Sequence, residues 1–286
     1  MGHAVNAVFV WSIARAFGGS VLLRIEDHDA QRAREPYDTA IRDDLSWLGL
    51  VADNAAHHLP APLRQRDRGD VYEAALTRLA KHGLVYACRC SRRDSVAVGV
   101  AVGVAVGGAD GDEERRYAGT CRDAAVSALE TSARRVRLDD TTVHFDDLRH
   151  GAQRQAPADQ CGDVLVRDRL GQWTYQFAVV VDDLDQEIDL VIRGDDLLRS
   201  TGRQIMLARL LGRVSSPLFL HHALIRHPDG TKLSKSNGDT GLAELRGSGW
   251  SAEHVLGHAA WLGGLQASPA ELRASELGRL WGASTG

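Results

Sequence analysis

The chain has 286 residues, of which 44% are hydrophobic and 25% are charged, and its formal net charge is −4. This composition is typical of a globular protein, and the slight acidity argues against a general nucleic-acid coat protein. No apolar run is long enough to span a bilayer and the N-terminus lacks the features of a signal peptide, so we expect a cytoplasmic protein without a membrane partner.

The first residues predict a buried helix followed by a strand. Residues 3–17 carry small and apolar side chains at helical spacing, and Gly18 and Gly19 predict the end of that helix. Residues 21–25 are an apolar strand candidate that runs into the acidic cluster at 26–29. Because ligands of open α/β sheets bind at the carboxyl ends of strands, this cluster marks a candidate site.

Two further helices continue the pattern. One follows Pro36 and is expected to end at Gly49. The other carries Tyr72 and Leu79 on its apolar face and is expected to end at Gly83. Helices that alternate with extended runs are typical of an α/β protein.

A cysteine cluster occupies the middle of the chain. Cys88 and Cys90 form a Cys-x-Cys pair and Cys121 follows about 30 residues later, and in a cytoplasmic protein such a set favours a metal site over a disulfide framework. Three buried free cysteines are the alternative. The run at 95–110 consists mostly of Val, Gly and Ala, which favours a flexible loop, and we assign it no chemistry.

Strand and helix signals return in the second half. The predicted segments are strands within 134–147, at 163–167 and at 188–192, a helix at 197–211, a strand at 218–225 and a helix after Trp250. The strand at 188–192 ends at the charged residues 193–196, which again places charge at the carboxyl end of a strand.

Two lysines mark a short loop after the His-Pro-Asp-Gly turn at 227–230. Lys232 and Lys235, with the hydroxyl of Ser234 between them, give this loop two mobile cations. Lysine is a compact point charge and suits a triphosphate whose charge shifts during a reaction. The alternative is an ordinary solvated basic turn.

Five segments in a fixed order resemble the catalytic core of glutamyl-tRNA synthetases, which are class I aminoacyl-tRNA synthetases. They are GHAVNA at 2–7, LRIED at 23–27, YQFAVVVDD at 175–183, VIRGDDLLRSTGRQ at 191–204 and TKLSKSN at 231–237. The Cys-x-Cys and Tyr-x-x-x-Cys pairs, together with the expected lack of an anticodon-binding domain, are similar to the short paralogues, the glutamyl-queuosine tRNA(Asp) synthetases. Members of that group activate glutamate with ATP and transfer it to the queuosine base of tRNA(Asp).

The resemblance implies an ATP site. His3, Lys232, Ser234 and Lys235 match the ATP-binding motifs, and His3, Lys232 and Lys235 match catalytic positions that stabilise the phosphates. Magnesium would accompany ATP. For His3, a histidine that caps the first helix is the alternative.

The resemblance also implies a glutamate site. Glu26 matches the carboxylate that holds the α-ammonium group of glutamate, and Tyr175 and Arg193 match the pair that contacts its carboxylates. The planar fork of arginine can bind a carboxylate through two parallel hydrogen bonds. The alternatives are a buried ion pair for Glu26 and a core position for Tyr175.

By the same resemblance, Cys88, Cys90, Tyr117 and Cys121 are the ligands of a structural zinc ion. Thiolates two residues apart can share one tetrahedral ion, although tyrosine is an uncommon ligand. The ion would hold together an insert that has little core of its own.

The implied fold is α/β, a Rossmann-like class I synthetase catalytic domain with a zinc-bearing insert and a short helical C-terminal segment. We expect the two halves of the catalytic domain at 1–75 and 165–225, the insert at 76–164, and the lysine loop with a helical, stem-contact-like segment at 226–286. The family has one more strand before its first motif, which we expect to lie upstream of residue 1.

The predicted partners are glutamate, ATP and tRNA(Asp) carrying queuosine, and the predicted state is a monomer. Two other functions fit the sequence. One is a truncated glutamyl-tRNA synthetase that acylates tRNA(Glu), and the other is a non-catalytic RNA- or nucleotide-binding paralogue.

Overall fold

The computed structural model describes residues 1–28, 35–91, 96–97, 115–127, 131–225 and 241–282. The lysine loop at 231–237 and most of the run at 95–110 lie outside these residues. None of the helices among the described residues is long and apolar enough to cross a membrane.

The described helices, apart from the one that ends at Asp185, are followed within two residues by a glycine with a left-handed backbone. Within the described residues they are α1 (Gly2–Phe17), α2 (Glu35–Trp47), α3 (Gly69–Lys81), α4 (Pro157–Gln160), α5 (Tyr175–Asp185), α6 (Thr201–Leu210), α7 (Leu242–Gly247) and α8 (Ala252–Leu262). Gly18, Gly49 and Gly83 have φ angles of 70°, 71° and 69°, so the predicted ends of the first three helices are confirmed. The helix predicted over 197–211 differs at its start, because Asp195–Ser200 forms a 3₁₀-helix before α6 begins.

The strands are short and fall into several sheets. They are β1 (Arg24–Ile25), β2 (Leu63–Arg64), β3 (Val85–Cys88), β4 (Val96–Ala97), β5 (Arg115–Arg116), β6 (Ala133–Val136), β7 (Val143–Asp147), β8 (Gly151–Gln155), β9 (Val164–Arg167), β10 (Leu190–Gly194) and β11 (Leu218–His222). The strands predicted at 163–167, 188–192 and 218–225 are confirmed as β9, β10 and β11, although the bounds differ by up to three residues.

The largest described sheet has the order β10-β11-β7-β8. The pairs β10–β11 and β11–β7 are parallel, whereas β7 and β8 form an antiparallel hairpin. Parallel strands bring their carboxyl ends to one edge of a sheet. The ends of β7, β10 and β11 therefore lie side by side.

Helices cover both faces of this sheet, as expected for an α/β fold. Leu190, Ile192 and Leu220 pack into one core with residues of α1 and α8. Val191 and Phe219, which alternate with them along the strands, pack into a second core with residues of α3, α5 and α6. Each fully buried side chain of this type contributes about 1.5–3 kcal/mol to stability.

The first helix is held by the last described segment of the chain. A 3₁₀-helix at Ala274–Trp281 lies against α1, and the Trp281 indole N–H donates to Ser12 Oγ at 2.8 Å. Close approach needs a glycine here, because a Cβ on Gly278 would lie 3.2 Å from the backbone of α1. The N-terminal helix is thereby fixed beside β10 and β11.

A separate antiparallel sheet of order β3-β6-β9 carries the cysteine region. Its own buried cluster consists of Cys88, Tyr117, Cys121 and Ala133. The hairpin β7–β8 lies within the range predicted for the insert, and it pairs with β11 of the larger sheet.

Candidate active site

The three residues predicted to bind glutamate lie close together. Glu26 follows β1, Tyr175 is the first residue of α5, and Arg193 lies at the carboxyl end of β10. Tyr175 and Arg193 are within hydrogen-bonding reach, and the charge of Glu26 acts on both. Three separate elements thus bring an acid, a phenol and a guanidinium to one edge of the fold.

Burial controls the protonation of this group. Burial raises the pKa of Tyr175, and the negative charge of Glu26 adds to that rise. Burial lowers the pKa of Arg193, while Tyr175 and Asp183 act in the opposite direction. Tyr175 therefore stays a neutral hydrogen-bond donor, and the side chain of Glu26, which is 42% exposed, remains open to a ligand.

Arg193 is held by several protein groups. Its Nε–H donates to His221 Nε2 at 2.9 Å, and Nη1 donates to Gln204 Oε1 at 2.7 Å. Nη2 donates to Thr201 Oγ1 at 2.9 Å and more weakly to the Leu197 carbonyl at 3.5 Å. Arginine has five N–H groups, so these four hydrogen bonds leave one N–H group, which is available on the side that faces Tyr175.

An acidic doublet near the end of α5 connects this helix to residues 65–72. Asp182 is fully buried and accepts hydrogen bonds from Gln65 at 2.7 Å and Tyr72 at 2.9 Å. Arg68 Nε also donates to Asp182, at 2.6 Å. The sequence singled out this doublet only as part of a motif, and its contacts were not predicted because they join residues more than 100 positions apart.

Arg24 connects the acidic doublet to Glu26. Its Nη1 donates to Asp183 Oδ1 at 2.9 Å, and its Nη2 lies 3.4 Å from Glu26 Oε1. Burial acts to lower the pKa of Arg24, but the carboxylates of Asp183 and Glu26 raise it on balance. Arg24 thus remains charged and holds Glu26 beside the sheet.

His3 lies in the first turn of α1, and its side chain is exposed. The same helix is attached to the end of β11, where His222 Nε2 lies 3.0 Å from Asn6 Oδ1. The Phe9 and His222 rings stack with centroids 4.8 Å apart. The structure therefore places the helix that carries His3 beside the carboxyl end of β11. Lys232, Ser234 and Lys235 lie outside the described residues, so their part in the site stays a prediction.

The cysteine cluster has the geometry of a metal site. The sulfur atoms of Cys88, Cys90 and Cys121 all lie within 4.8 Å of one another. Cys90 Sγ and Cys121 Sγ are 3.5 Å apart, and the Tyr117 hydroxyl is 3.6 Å from Cys88 Sγ. The fourth predicted ligand is thus beside the three thiols.

Zinc fits this donor set. Zinc–sulfur bonds of about 2.3 Å in a tetrahedron imply sulfur–sulfur distances of about 3.8 Å, which is close to the separations seen here. Burial raises the pKa of Cys90 to about 11. Burial acts in the same direction on Cys121, but hydrogen bonds from the Arg89 amide and the neighbouring thiol and phenol lower the pKa of Cys121 on balance. The pKa of Cys121 therefore lies below that of Cys90.

The sequence matches the family described as tRNA synthetases class I (E and Q), catalytic domain, over residues 1–274. The chain belongs to this family. It is 39% identical to a glutamyl-Q tRNA(Asp) synthetase of Symbiobacterium thermophilum, an alignment that covers 97% of this chain and 86% of that protein. A glutamyl-Q tRNA(Asp) synthetase of Rhodobacter capsulatus is 37% identical, with 89% of this chain and 93% of that protein covered.

Relatives with longer chains are matched over part of their length. Glutamate–tRNA ligase 2 of Syntrophus aciditrophicus is 38% identical over 92% of this chain, which spans 54% of that protein. A solved glutamate tRNA ligase from Elizabethkingia meningosepticum has a TM-score of 0.76 at 23% identity and covers 96% of this chain, which spans 61% of that structure. This likeness confirms the class I synthetase fold predicted from the sequence.

Proposed function

We propose that this class I synthetase activates glutamate with ATP and transfers it to the queuosine base of tRNA(Asp). The convergence of Glu26, Tyr175 and Arg193 at one edge of the fold carries the proposal. The relatives named glutamyl-Q tRNA(Asp) synthetase support the choice of acceptor, because they match this chain over most of their own length.

Two anions must meet in the first step. A carboxylate oxygen of glutamate attacks the α-phosphorus of ATP, a new P–O bond forms, and pyrophosphate leaves. Glu26 would hold the α-ammonium group of glutamate, while Arg193 and Tyr175 would bind a carboxylate through the remaining N–H and the phenol O–H. Magnesium with ATP, together with Lys232 and Lys235, would neutralise the phosphates, and Ser234 and His3 would position them.

The second step uses the adenylate. The acceptor group of the queuosine base attacks the carbonyl carbon of the adenylate, the bond to AMP breaks, and glutamate is esterified to the tRNA. The chain's own residues would bind and orient the reactants at both steps, since positioning alone can lower a barrier by several kcal/mol.

We further propose that Cys88, Cys90, Tyr117 and Cys121 hold a structural zinc ion. The close sulfur atoms and the adjacent phenol support it. When bound, zinc would crosslink the end of β3 to the loop that follows β5 through these four residues. The monomeric state and the cytoplasmic location stay predictions.

Glutamate-dependent ATP–pyrophosphate exchange tests the first step. We expect exchange by the unaltered chain and loss of at least 100-fold in Lys235→Ala, because a cation facing the transferring phosphates is removed. Lys81→Ala is the matched control, since Lys81 is the exposed last residue of α3 and one of three lysines in the chain. Exchange that survives in Lys235→Ala would contradict the assigned role of the lysine loop.

Transfer of radiolabelled glutamate separates the candidate acceptors. We expect labelling of queuosine-containing tRNA(Asp) and none of the same tRNA lacking the modified base. Labelling of tRNA(Glu) instead would assign the chain to glutamyl-tRNA synthetases. No exchange and no transfer would favour a binding protein.

A further inference from the structure

A buried histidine lies between Arg193 and a buried carboxylate. His221 of β11 is the register partner of Arg193 in β10, so both side chains leave the same face of the sheet. His221 is fully buried, and its Nδ1 is 2.7 Å from Asp147 Oδ2. Its Nε2 receives the Arg193 Nε–H at 2.9 Å. Three neighbouring parallel strands thus supply Asp147, His221 and Arg193 in one line.

The hydrogen bonds at both ends fix the proton on this imidazole. Arg193 can only donate, so Nε2 of His221 must be the acceptor. Asp147 Oδ1 already accepts from the amides of Arg149 at 3.0 Å and His150 at 2.9 Å, and its Oδ2 accepts from the His221 amide at 3.1 Å. The carboxylate is therefore ionised, and the ring proton must lie on Nδ1.

The surroundings keep this ring neutral. Burial lowers the pKa of His221, and the positive charge of Arg193 acts in the same direction, while Asp147 opposes them. Asp195 is the other acid that acts on His221, and it bonds to His150 at 2.8 Å. Thr201 Oγ1 lies 3.3 Å from Nε2 and accepts from Arg193, so its hydroxyl can donate to the same ring nitrogen.

We propose that His221 is the positioning residue that orients Arg193 toward the substrate carboxylate, with Asp147 fixing the tautomer that makes this possible. The inference deepens the proposed function and rests on it. With Nε–H on His221 and Nη1 on Gln204, the guanidinium plane has one orientation, and its remaining N–H faces Tyr175. Without an acceptor at Nε2, a buried donor of Arg193 is left unsatisfied and the guanidinium loses this orientation.

Two substitutions of His221 distinguish the roles of its two ring nitrogens. His221→Gln retains an acceptor where Nε2 lies and can still receive the Arg193 Nε–H. His221→Asn places an amide where Nδ1 lies and can donate to Asp147, but it leaves nothing for Arg193. Both remove an aromatic ring and introduce an amide, so each controls for the packing change in the other.

We expect the KM for glutamate to change while the KM for ATP does not. In ATP–pyrophosphate exchange, His221→Asn should raise the KM for glutamate about 10- to 100-fold and leave the KM for ATP within about threefold, since a hydrogen bond to a charged group is worth about 1.5–3 kcal/mol. His221→Gln should stay within about fivefold for both. Equal KM changes in the two variants, or a matching rise in the KM for ATP, would overturn the inference.

A second measurement does not depend on activity. Nitrogen-15 NMR of the histidine rings in the unaltered chain should show one ring in the neutral Nδ1–H form from pH 8 to pH 5.5, and that signal should vanish in both variants. An Nε2–H signal, or protonation of that ring near pH 6.5, would overturn the inference. If the unaltered chain neither binds glutamate nor catalyses ATP–pyrophosphate exchange, the proposed function is wrong, and the inference that rests on it is wrong too. The NMR result then shows separately whether the hydrogen bonds that join His221 to Asp147 and to Arg193 exist.

Discussion

Around Arg193 and His221, strands β10 and β11 are covered by helices on both faces, and both side chains are more than 90% buried. Around Cys88, the sheet β3-β6-β9 has a described buried cluster of four residues, three of which are proposed metal ligands. The region around β10 and β11 is thus stabilised by apolar burial, and hydrogen bonds between its buried polar side chains fix their orientation. The cysteine cluster has few buried apolar neighbours of its own, and we propose that a metal ion holds it together.

The two regions should therefore respond differently when one of their stabilising groups is removed. Near β10 and β11, loss of a buried polar partner leaves an unsatisfied charge inside a packed core, and this lowers the stability of the whole fold. Loss of the proposed ion from the cysteine cluster would remove the crosslink of one local segment. The following changes are designed to separate these two cases.

Removal of a thiol should have the largest local effect. Cys88→Ala should abolish stoichiometric zinc, because structural zinc sites contribute about 10–16 kcal/mol of binding free energy in small domains. Zinc content by elemental mass spectrometry and amide exchange in β3 and residues 117–127 would measure it. Cys161→Ala is the control, since the Cys161 thiol donates to the Pro157 carbonyl at 3.2 Å and lies outside the cluster. Full zinc content in Cys88→Ala would contradict the assignment.

Removal of the buried carboxylate of Asp182 should have the largest global effect. Asp182→Ala should lower the free energy of unfolding by about 3–5 kcal/mol, because Arg68 and Tyr72 lose their buried partner. Denaturant titration measures the change. Asp123→Ala is the control, since this side chain is 84% exposed in its pair with Arg137 and should cost less than about 1 kcal/mol. Similar losses in the two variants would show that burial is not what distinguishes these pairs.

Lowering the pH should reduce the stability of the fold by a smaller amount. Burial and the charge of Arg193 lower the pKa of His221, so below about pH 6.5 the unfolded chain takes up a proton that the folded chain does not, and stability falls. Burial acts to raise the pKa of Asp147, but the hydrogen bond from His221 and the backbone amides lower it on balance, so its contribution is lost only as the pH falls below about 4.

Unfolding experiments between pH 7.5 and pH 5.5 would measure the histidine contribution. One proton changes stability by at most about 1.4 kcal/mol per pH unit. His221→Gln should flatten the slope, while the remaining slope reports His222 and His258, whose pKa values are also lowered by burial. An unchanged slope in His221→Gln would mean that this ring titrates equally in the folded and unfolded chain.

The sequence predicted those features that depend on local pattern. Helix ends followed from glycines, and strands β9 and β10 followed from short apolar runs. Strand β8 was not predicted, because the sequence Gly-Ala-Gln-Arg-Gln has no apolar alternation and pairs through the β7 hairpin. The grouping of Glu26, Tyr175 and Arg193 followed from motif resemblance.

The groups that hold Arg193 could not be found in this way. Gln204 ends the motif at 191–204, but the motif does not identify its partner, and in the structure its Oε1 accepts a hydrogen bond from Arg193 at 2.7 Å. His221 and Asp147 carried no local signal, because their roles depend on the parallel register of three strands that are far apart in sequence. Such register is set by the packing of the whole sheet and not by neighbouring residues.

The contact between Ser12 and Trp281 joins positions 269 residues apart. On a ribosome that adds about 5–20 residues per second, the first helix emerges tens of seconds before the segment that covers it. During that interval its apolar surface, including Phe9 and Trp11, is available to chaperones or to other nascent chains. The order of synthesis therefore leaves the apolar face of α1 open to misassembly until the segment at 274–281 has been made.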